Sequence, residues 1–183
     1  MGTFVPLKSF AQAQTLTTLY NFKGNPDGGL PFAGVAQDQS GNLYGTTPYR
    51  DSDNGVVYEV TPSGVETVLY SFGYLTGANP FSPVIRDFRG NLYGTTSDGG
   101  ASGQGTIFVI DTTGRVTVVH NFAGGTTDGC YPSGGLVMDN PEPSMAPPTT
   151  AALTTMEQYF SSAEGEDTHC CIASRASMVP SPP

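Results

Sequence analysis

The chain has no tryptophan, only three cysteines, and few charges of either sign. Charged residues make up 13% of its 183 residues, with 7 Lys and Arg against 16 Asp and Glu. A net charge of −9 excludes the usual electrostatic footprint of a protein that binds nucleic acid or an anionic membrane. No apolar run approaches the roughly 20 residues that a bilayer-spanning helix needs. The cysteines are Cys130, Cys170 and Cys171, an odd count with an adjacent pair, which is not a disulfide framework. No His or Cys lies at ligand spacing from Cys130, so no metal site is expected there.

What the chain has instead is turn chemistry and repetition. It holds 24 Gly and 15 Pro, a mix poor for helices and good for turns. Gly41-Asn42-Leu43-Tyr44-Gly45-Thr46-Thr47 returns as Gly90-Asn91-Leu92-Tyr93-Gly94-Thr95-Thr96. Leu19-Tyr20-Asn21-Phe22 returns as Leu69-Tyr70-Ser71-Phe72 and again as Val119-His120-Asn121-Phe122, with the phenylalanines 50 residues apart. A fixed period of this size makes each copy one supersecondary unit that buries its face against the next.

Each unit reads as four short strands. In the first, these are Ala33 to Asp38, Leu43 to Tyr49, Gly55 to Thr61 and Val65 to Phe72. Between the first two, Gln39 to Asn42 form a hairpin turn whose amides Asp38 can cap. Val56, Tyr58 and Val60 share one face by alternation. Alternation also puts Glu66, Val68, Tyr70 and Phe72 on one face, opposite Val65, Thr67 and Leu69. The second unit matches with Val84 to Asp87, Leu92 to Thr96, Gly105 to Asp111 and Arg115 to Phe122. Four antiparallel strands per unit of about 50 residues predict an all-β fold of propeller-type blades. Gly45 and Gly94 are expected to permit close approach of neighbouring sheets. Tyr44 and Tyr93 are expected to pack between blades.

Asp-x-x-Gly-Asn-Leu-Tyr-Gly-Thr-Thr, then Gly-x-[Val/Ile]-[Tyr/Phe]-x-[Val/Ile], then Gly-x-x-Thr-Val-[Leu/Val]-[Tyr/His]-x-Phe, resembles the GloVer tandem repeat of bacterial exported proteins. The resemblance covers about residues 15–139. It implies an extracellular or cell-surface location, often with a C-terminal sorting segment, and carries over no catalytic residue. Kelch-type propellers are the broader comparison, but this chain lacks their tryptophan. The organisation expected is a leader over 1–14, repeats over 15–72 and 73–122 with a partial one over 123–139, and a disordered tail over 140–183. Ala11-Gln12-Ala13 has the small-x-small form of a signal-peptidase site, but Met1 to Phe10 has no real apolar region, so a flexible leader and a truncated export signal both stand.

The tail departs from the repeat. After Asp139 the third copy should continue to Leu-Tyr-Gly-Thr-Thr, and instead the chain is rich in Pro, Ser, Thr and Ala, as a disordered linker is. Codons started at each third base restore the pattern. Met145-Ala146 forces a glycine, Met156-Glu157 forces another, Gln158-Tyr159 forces Val or Ile, and Tyr159-Phe160 forces Phe or Leu. His169-Cys170-Cys171 gives Leu-Leu-[Tyr/His]. All fall 52 residues after their counterparts in the second unit. We therefore read residues from about Asn140 onward as an out-of-frame translation of the third repeat. A genuine Pro/Ser/Thr linker is the alternative; its one helix-compatible stretch is Thr149 to Phe160. Two blades with a partial third are expected to be marginally stable and to self-associate through open edges.

Candidate sites meet plainer explanations. Asp51-x-Asp53-Asn54-Gly55 resembles the opening of a calcium loop but lacks the later Glu, and Asp98-Gly99-Gly100 in the second unit lacks the second carboxylate. His120 takes the place of Tyr20 and Tyr70, which favours a packed ring over a catalytic base. His169 falls in the out-of-frame tail. Glu59 and Glu66 could pair for glycoside chemistry, but the second unit has Val109 and Val116-Thr117 there, which favours exposed strand positions. There is no Gly-x-Ser-x-Gly elbow, and Gly99 to Gly103 lacks the Lys of a phosphate loop. No catalytic, metal or cofactor residue is therefore assigned. Loop aromatics Phe32, Tyr49, Tyr74, Phe81 and Tyr131 are the best binding candidates, suited to sugar or peptide surfaces. A stapling role for Phe32, Phe81 and Tyr131 beside Pro31, Pro80 and Pro132 is the plainer reading. The function expected is a non-enzymatic exported binding or surface module with an unidentified glycan or protein ligand. An exported glycan-acting propeller enzyme and a non-functional gene fragment are the alternatives.

Overall fold

A computed structural model describes residues 16–49, 54–138 and 156–158. The leader and most of the tail lie outside the described residues. The first four-stranded sheet contains β1 (Ala36–Gln37), β2 (Leu43–Thr47), β3 (Val56–Val60) and β4 (Glu66–Ser71) in sequence order. The second contains β5 (Ile85–Arg86), β6 (Leu92–Thr96), β7 (Thr106–Ile110) and β8 (Val116–Asn121) in the same order. All neighbours are antiparallel. One helical turn, α1 (Gly125–Asp128), precedes β9 (Leu136–Met138), and β10 (Met156–Gln158) pairs with β9. The fold is all-β, built on two four-stranded antiparallel sheets, with the first strand of each shorter than expected: Ala36–Gln37 for Ala33 to Asp38 and Ile85–Arg86 for Val84 to Asp87. Within the helix-compatible tail stretch, residues 156–158 form a strand because β9 offers them an open ladder edge.

The alternation expected for the fourth strand breaks at a β-bulge. Tyr58 pairs with Val68 but Val57 pairs with Tyr70, so Leu69 is the extra residue. The second sheet repeats this, with Phe108 opposite Val118 and Ile107 opposite His120. Glu66 and Val68 thus share a face with Val60 and Tyr58, while Tyr70 moves to the face of Val57. The expected single face for Glu66, Val68, Tyr70 and Phe72 is therefore split in two.

Those two rings seal the boundary between the sheets. Phe72 stands edge-on to Tyr70 at 5.1 Å and to Phe108 of the second sheet at 4.9 Å. Around it, Val57, Val84, Leu92 and Ile110 are buried, with Tyr44 and Val116 packed against them. The same arrangement precedes it: Phe22 meets Tyr20 at 5.1 Å and Tyr58 at 4.7 Å. A second core of Tyr93, Ile107, Phe122 and Leu136 lies on the far side of the second sheet.

Gly94 makes room for this contact, though not as expected. A Cβ there would lie 2.6 Å from Phe108 Cζ, and at Gly45 one would lie 2.4 Å from the Tyr58 hydroxyl. The close approach is a ring of the neighbouring strand lying over the glycine, not two sheets meeting backbone to backbone. Cys130 is disulfide-bonded, so the odd cysteine count does contain a bridge.

Phe72→Ala is expected to cost about 3–5 kcal/mol of unfolding free energy, and Gly94→Ala about 1–3 kcal/mol by overpacking. Urea denaturation followed by circular dichroism measures both.

Candidate functional site

An antiparallel meander has two ends. One carries the tight hairpins, and there carboxylates satisfy backbone amides. Asp38 accepts from the Ser40 and Asn42 amides at 2.9 Å, as the turn chemistry predicts. Asp87 accepts from Arg89 and Asn91, and Asp111 from Thr113 and Arg115. The Tyr44 and Tyr93 hydroxyls donate to Asp38 and Asp87, and the Arg86 guanidinium lies over the Tyr44 ring at 5.7 Å. The packing role expected for these tyrosines holds: both border the cores between the units.

The other end carries the long connections and most of the candidate residues. Phe32, Tyr49 and Phe81 come together there. Phe81 lies 6.3 Å from Phe32 and 5.8 Å from Tyr49, so two rings of the first unit flank one of the second. The cluster is both a staple and a surface, since Phe32 is 65% and Tyr49 45% exposed. Tyr74 and Tyr131 are also exposed but stand apart from this ring corner. Asn79 and Asp98 are joined at this end by a 3.0 Å hydrogen bond.

Leu30, Asn79 and Tyr131 all adopt positive φ, at 56°, 55° and 49°, each just before a proline. Asn tolerates this region, but Leu and Tyr are strained there. Pro80 and Pro132 explain why the turn is kept. Their Cδ atoms would each lie 2.6 Å from a Cβ on Gly55 and Gly105 of the unit before. Thr46 Oγ1 donates to Ser82 O at 2.9 Å, and Thr95 Oγ1 to Gly134 O at 3.3 Å, across the same boundaries. The threonines read as plain strand formers are thus ties between units.

A second device at this end was not anticipated. Asp27 accepts from the Tyr20 hydroxyl and the Lys23 amide. Thr76 Oγ1 takes the Tyr70 hydroxyl at 3.0 Å and the Gly73 amide at 3.3 Å. Asp128 pairs with His120 Nε2 at 2.8 Å and accepts from the Ala123 amide at 2.7 Å. The three amides are 50 residues apart, so this is one clasp with three chemistries. His120 is a packed ring as expected, edge-on to Phe122 at 4.7 Å, and additionally a clasp residue.

The proposed Glu59–Glu66 pair does not exist. Glu59 sits opposite Thr67 and Glu66 opposite Val60, which puts the two on opposite faces. Glu59 accepts from the Tyr44 hydroxyl at 3.2 Å. Neither is the exposed strand position expected; both are half-buried, and Glu66 Oε1 is out of water with no hydrogen-bond partner. Burial, and then the charge of Asp27, push the Glu66 carboxyl above its ordinary range. Burial also pushes Asp27 up, but the Tyr20 hydroxyl and the Lys23 amide outweigh it and hold the carboxyl below its ordinary range. The Tyr20 hydroxyl, bonded to that carboxylate, is pushed up to about 12.

A family model described as the Gloeobacter/Verrucomicrobia repeat matches residues 2–145. The chain belongs to this repeat family. No curated protein matches it. In this repeat protein Asp51 and Asp53 lie outside the described residues, as does His169. Asn54 and Gly55, next to them, serve the unit boundary: the Asn79 amide donates to Asn54 O at 2.8 Å and the Phe72 amide to Gly55 O at 2.9 Å. Among the described residues, no helix is long and apolar enough to cross a membrane.

The sign of the Glu66 effect follows from its raised position. As pH rises, the unfolded carboxyl ionises first, so stability falls between the unfolded and the folded pKa and stays low at neutral pH. Glu66→Gln is therefore expected to raise Tm at pH 7 by on the order of 1–2 °C, a small gain because solvent still screens the half-buried group. Below pH ~4 the two proteins should melt together. Scanning calorimetry across that range checks it.

Proposed function

We propose that the repeats are adjoining blades of a β-propeller in an exported, non-enzymatic surface protein, and that the loop end binds a neutral glycan. The observation that carries this reading is the ring corner of Phe32, Tyr49 and Phe81, exposed across a unit boundary. Exposed rings provide apolar faces for sugar C–H groups, and the Asn79–Asp98 pair puts hydrogen-bonding groups at the same end. The acidic chain disfavours an anionic ligand. Propeller geometry is supported by the short first strands: β1 lies against β5, and β5 against β9, as inner strands around an axis would. The resemblance to exported repeat proteins supports an extracellular location.

Phe81→Ala and Phe32→Ala should each weaken binding to soluble neutral polysaccharides about tenfold or more, with the fold retained in the Phe32 variant. Affinity electrophoresis against a polysaccharide panel, followed by calorimetry, measures this. Binding that is equal in the Phe32 variant would overturn the assignment.

One observation favours the enzymatic alternative. Asp27 and Glu66 are pushed to opposite sides of the carboxylate range, as an acid–base pair would be. Thr76 and Val116 stand at their places in the second unit, so the pair occurs once. Release of reducing ends from a bound glycan, lost in both Asp27→Asn and Glu66→Gln, would establish that reading; a bound glycan left intact by the unaltered protein would exclude it.

A further inference from the structure

The boundary between the first and second units is a set of named contacts, and most of that set is present again after the second unit. Gly105 meets Pro132 as Gly55 meets Pro80. Thr95 reaches Gly134 O as Thr46 reaches Ser82 O. The Tyr131 amide donates to Gln104 O as the Asn79 amide donates to Asn54 O. β9 lies against β5 as β5 lies against β1. Leu136 is buried with Tyr93, Ile107 and Phe122, and Met138 packs against them. The far face of the second sheet is therefore built as the seat of another unit, and that unit has begun in register.

A unit on this seat needs two further features: a second strand of Leu-Tyr-Gly-Thr-Thr beside β9, and a ring from the third strand lying over that glycine. In the first two units the ring is Tyr58 over Gly45 and Phe108 over Gly94, each met by a phenylalanine 36 residues earlier, Phe22 and Phe72. The codons force the glycines of this pattern in the shifted frame and permit the rest. Met145-Ala146 forces glycine at position 146, the counterpart of Gly94. Tyr159-Phe160 forces Phe or Leu at position 160, the counterpart of Phe108. Met156-Glu157 forces glycine at position 157, the counterpart of the Gly105 that seats a proline. Cys171-Ile172 forces Tyr or His at position 172, the counterpart of the clasp residue His120. The forced glycines are those the boundary and the ring contact require, and each two-way choice includes the residue that the ring contact or the clasp requires.

We infer that the far face of the second sheet seats a third four-stranded unit, written in the frame that starts at each third base from about Asn140 onward. The β9 edge that β10 pairs with is then the place of that unit's second strand. The unit would carry its own ring over glycine and its own clasp.

Two experiments test this. The first reads the coding DNA from the codon of Leu136 to that of Pro183. Six third bases are free in the translated frame and fixed by the proposal: C at Pro143 for leucine, T at Ser144 for tyrosine, A at Ala146 and at Pro147 for the two threonines, T at Tyr159 for the ring over glycine, and T at Ala173 for the closing phenylalanine. Five or six matches with an uninterrupted shifted frame support the third unit; fewer matches, or a stop codon in that frame, overturn it. The second inserts one nucleotide at the codon of Asn140 and expresses the product beside the unaltered chain. The expected result is a single cooperative transition with Tm raised by ~5 °C or more, because the added unit buries the far face. An equal or lower Tm overturns the proposal. So does light scattering that shows the unaltered chain dimeric together with no gain on repair, since a second copy would then hold the face.

Discussion

The structure depends on one contact: a phenylalanine that closes a unit inserts against a ring of the next, and that ring lies over a glycine. Phe72 meets Phe108, and Phe108 crosses Gly94. Tyr44 and Tyr70 pack at the edge of that core but are only partly buried. Four short strands cannot bury an apolar face alone, so each sheet is folded only to the extent that its neighbour caps it. The contact sets the spacing of the units and explains why the period is held at the phenylalanines, while the loops between them vary in length.

The bulges at Leu69 and Val119 make this contact possible. A regular strand would send alternate side chains to one face from end to end. With one residue inserted, the inner part of β4 offers Glu66 and Val68 to the unit before, and its last part offers Tyr70 and Phe72 to the unit after. One strand thereby serves two boundaries. The same shift places Tyr70 and His120 where they can reach Thr76 and Asp128, so the clasp at the loop end follows from the packing of the core.

The repeat itself, the strand order and the hairpin caps were legible in the sequence because each has a local cause. A period of 50, an Asp two residues before a turn amide, and alternation over five residues need no tertiary information. The bulges were not legible: Val65 to Phe72 alternates well enough on paper, and only the demand of the neighbouring unit for two rings breaks the pattern. The role of Gly45 was half legible, since close approach was foreseen but the approaching group was not. Positive φ at Tyr131 runs against residue preference and is imposed by Pro132 and Gly105, which meet at the boundary. Of the candidate site, the loop aromatics were visible as residue types. Their meeting was not, because Phe81 joins Phe32 and Tyr49 only through the stacking of units distant in sequence.

The two ends of the sheets divide the work between sameness and variety. At the hairpin end the first turn of each unit keeps the same carboxylate on the same amides, Asp38 as Asp87, and the second turn exchanges a hydroxyl for a carboxylate, Thr61 for Asp111, on the same amide. At the loop end the clasp keeps its backbone contact but changes its chemistry, from a tyrosine and a carboxylate to a tyrosine and a hydroxyl to an imidazole and a carboxylate. A contact needed only to hold the loop has no physical reason to differ among copies that hold it equally well. Side chains there are free to change because the fold is secured by the rings beneath them, and that freedom is what a recognition surface requires. The exposed corner of Phe32, Tyr49 and Phe81 lies at the end where the units differ more.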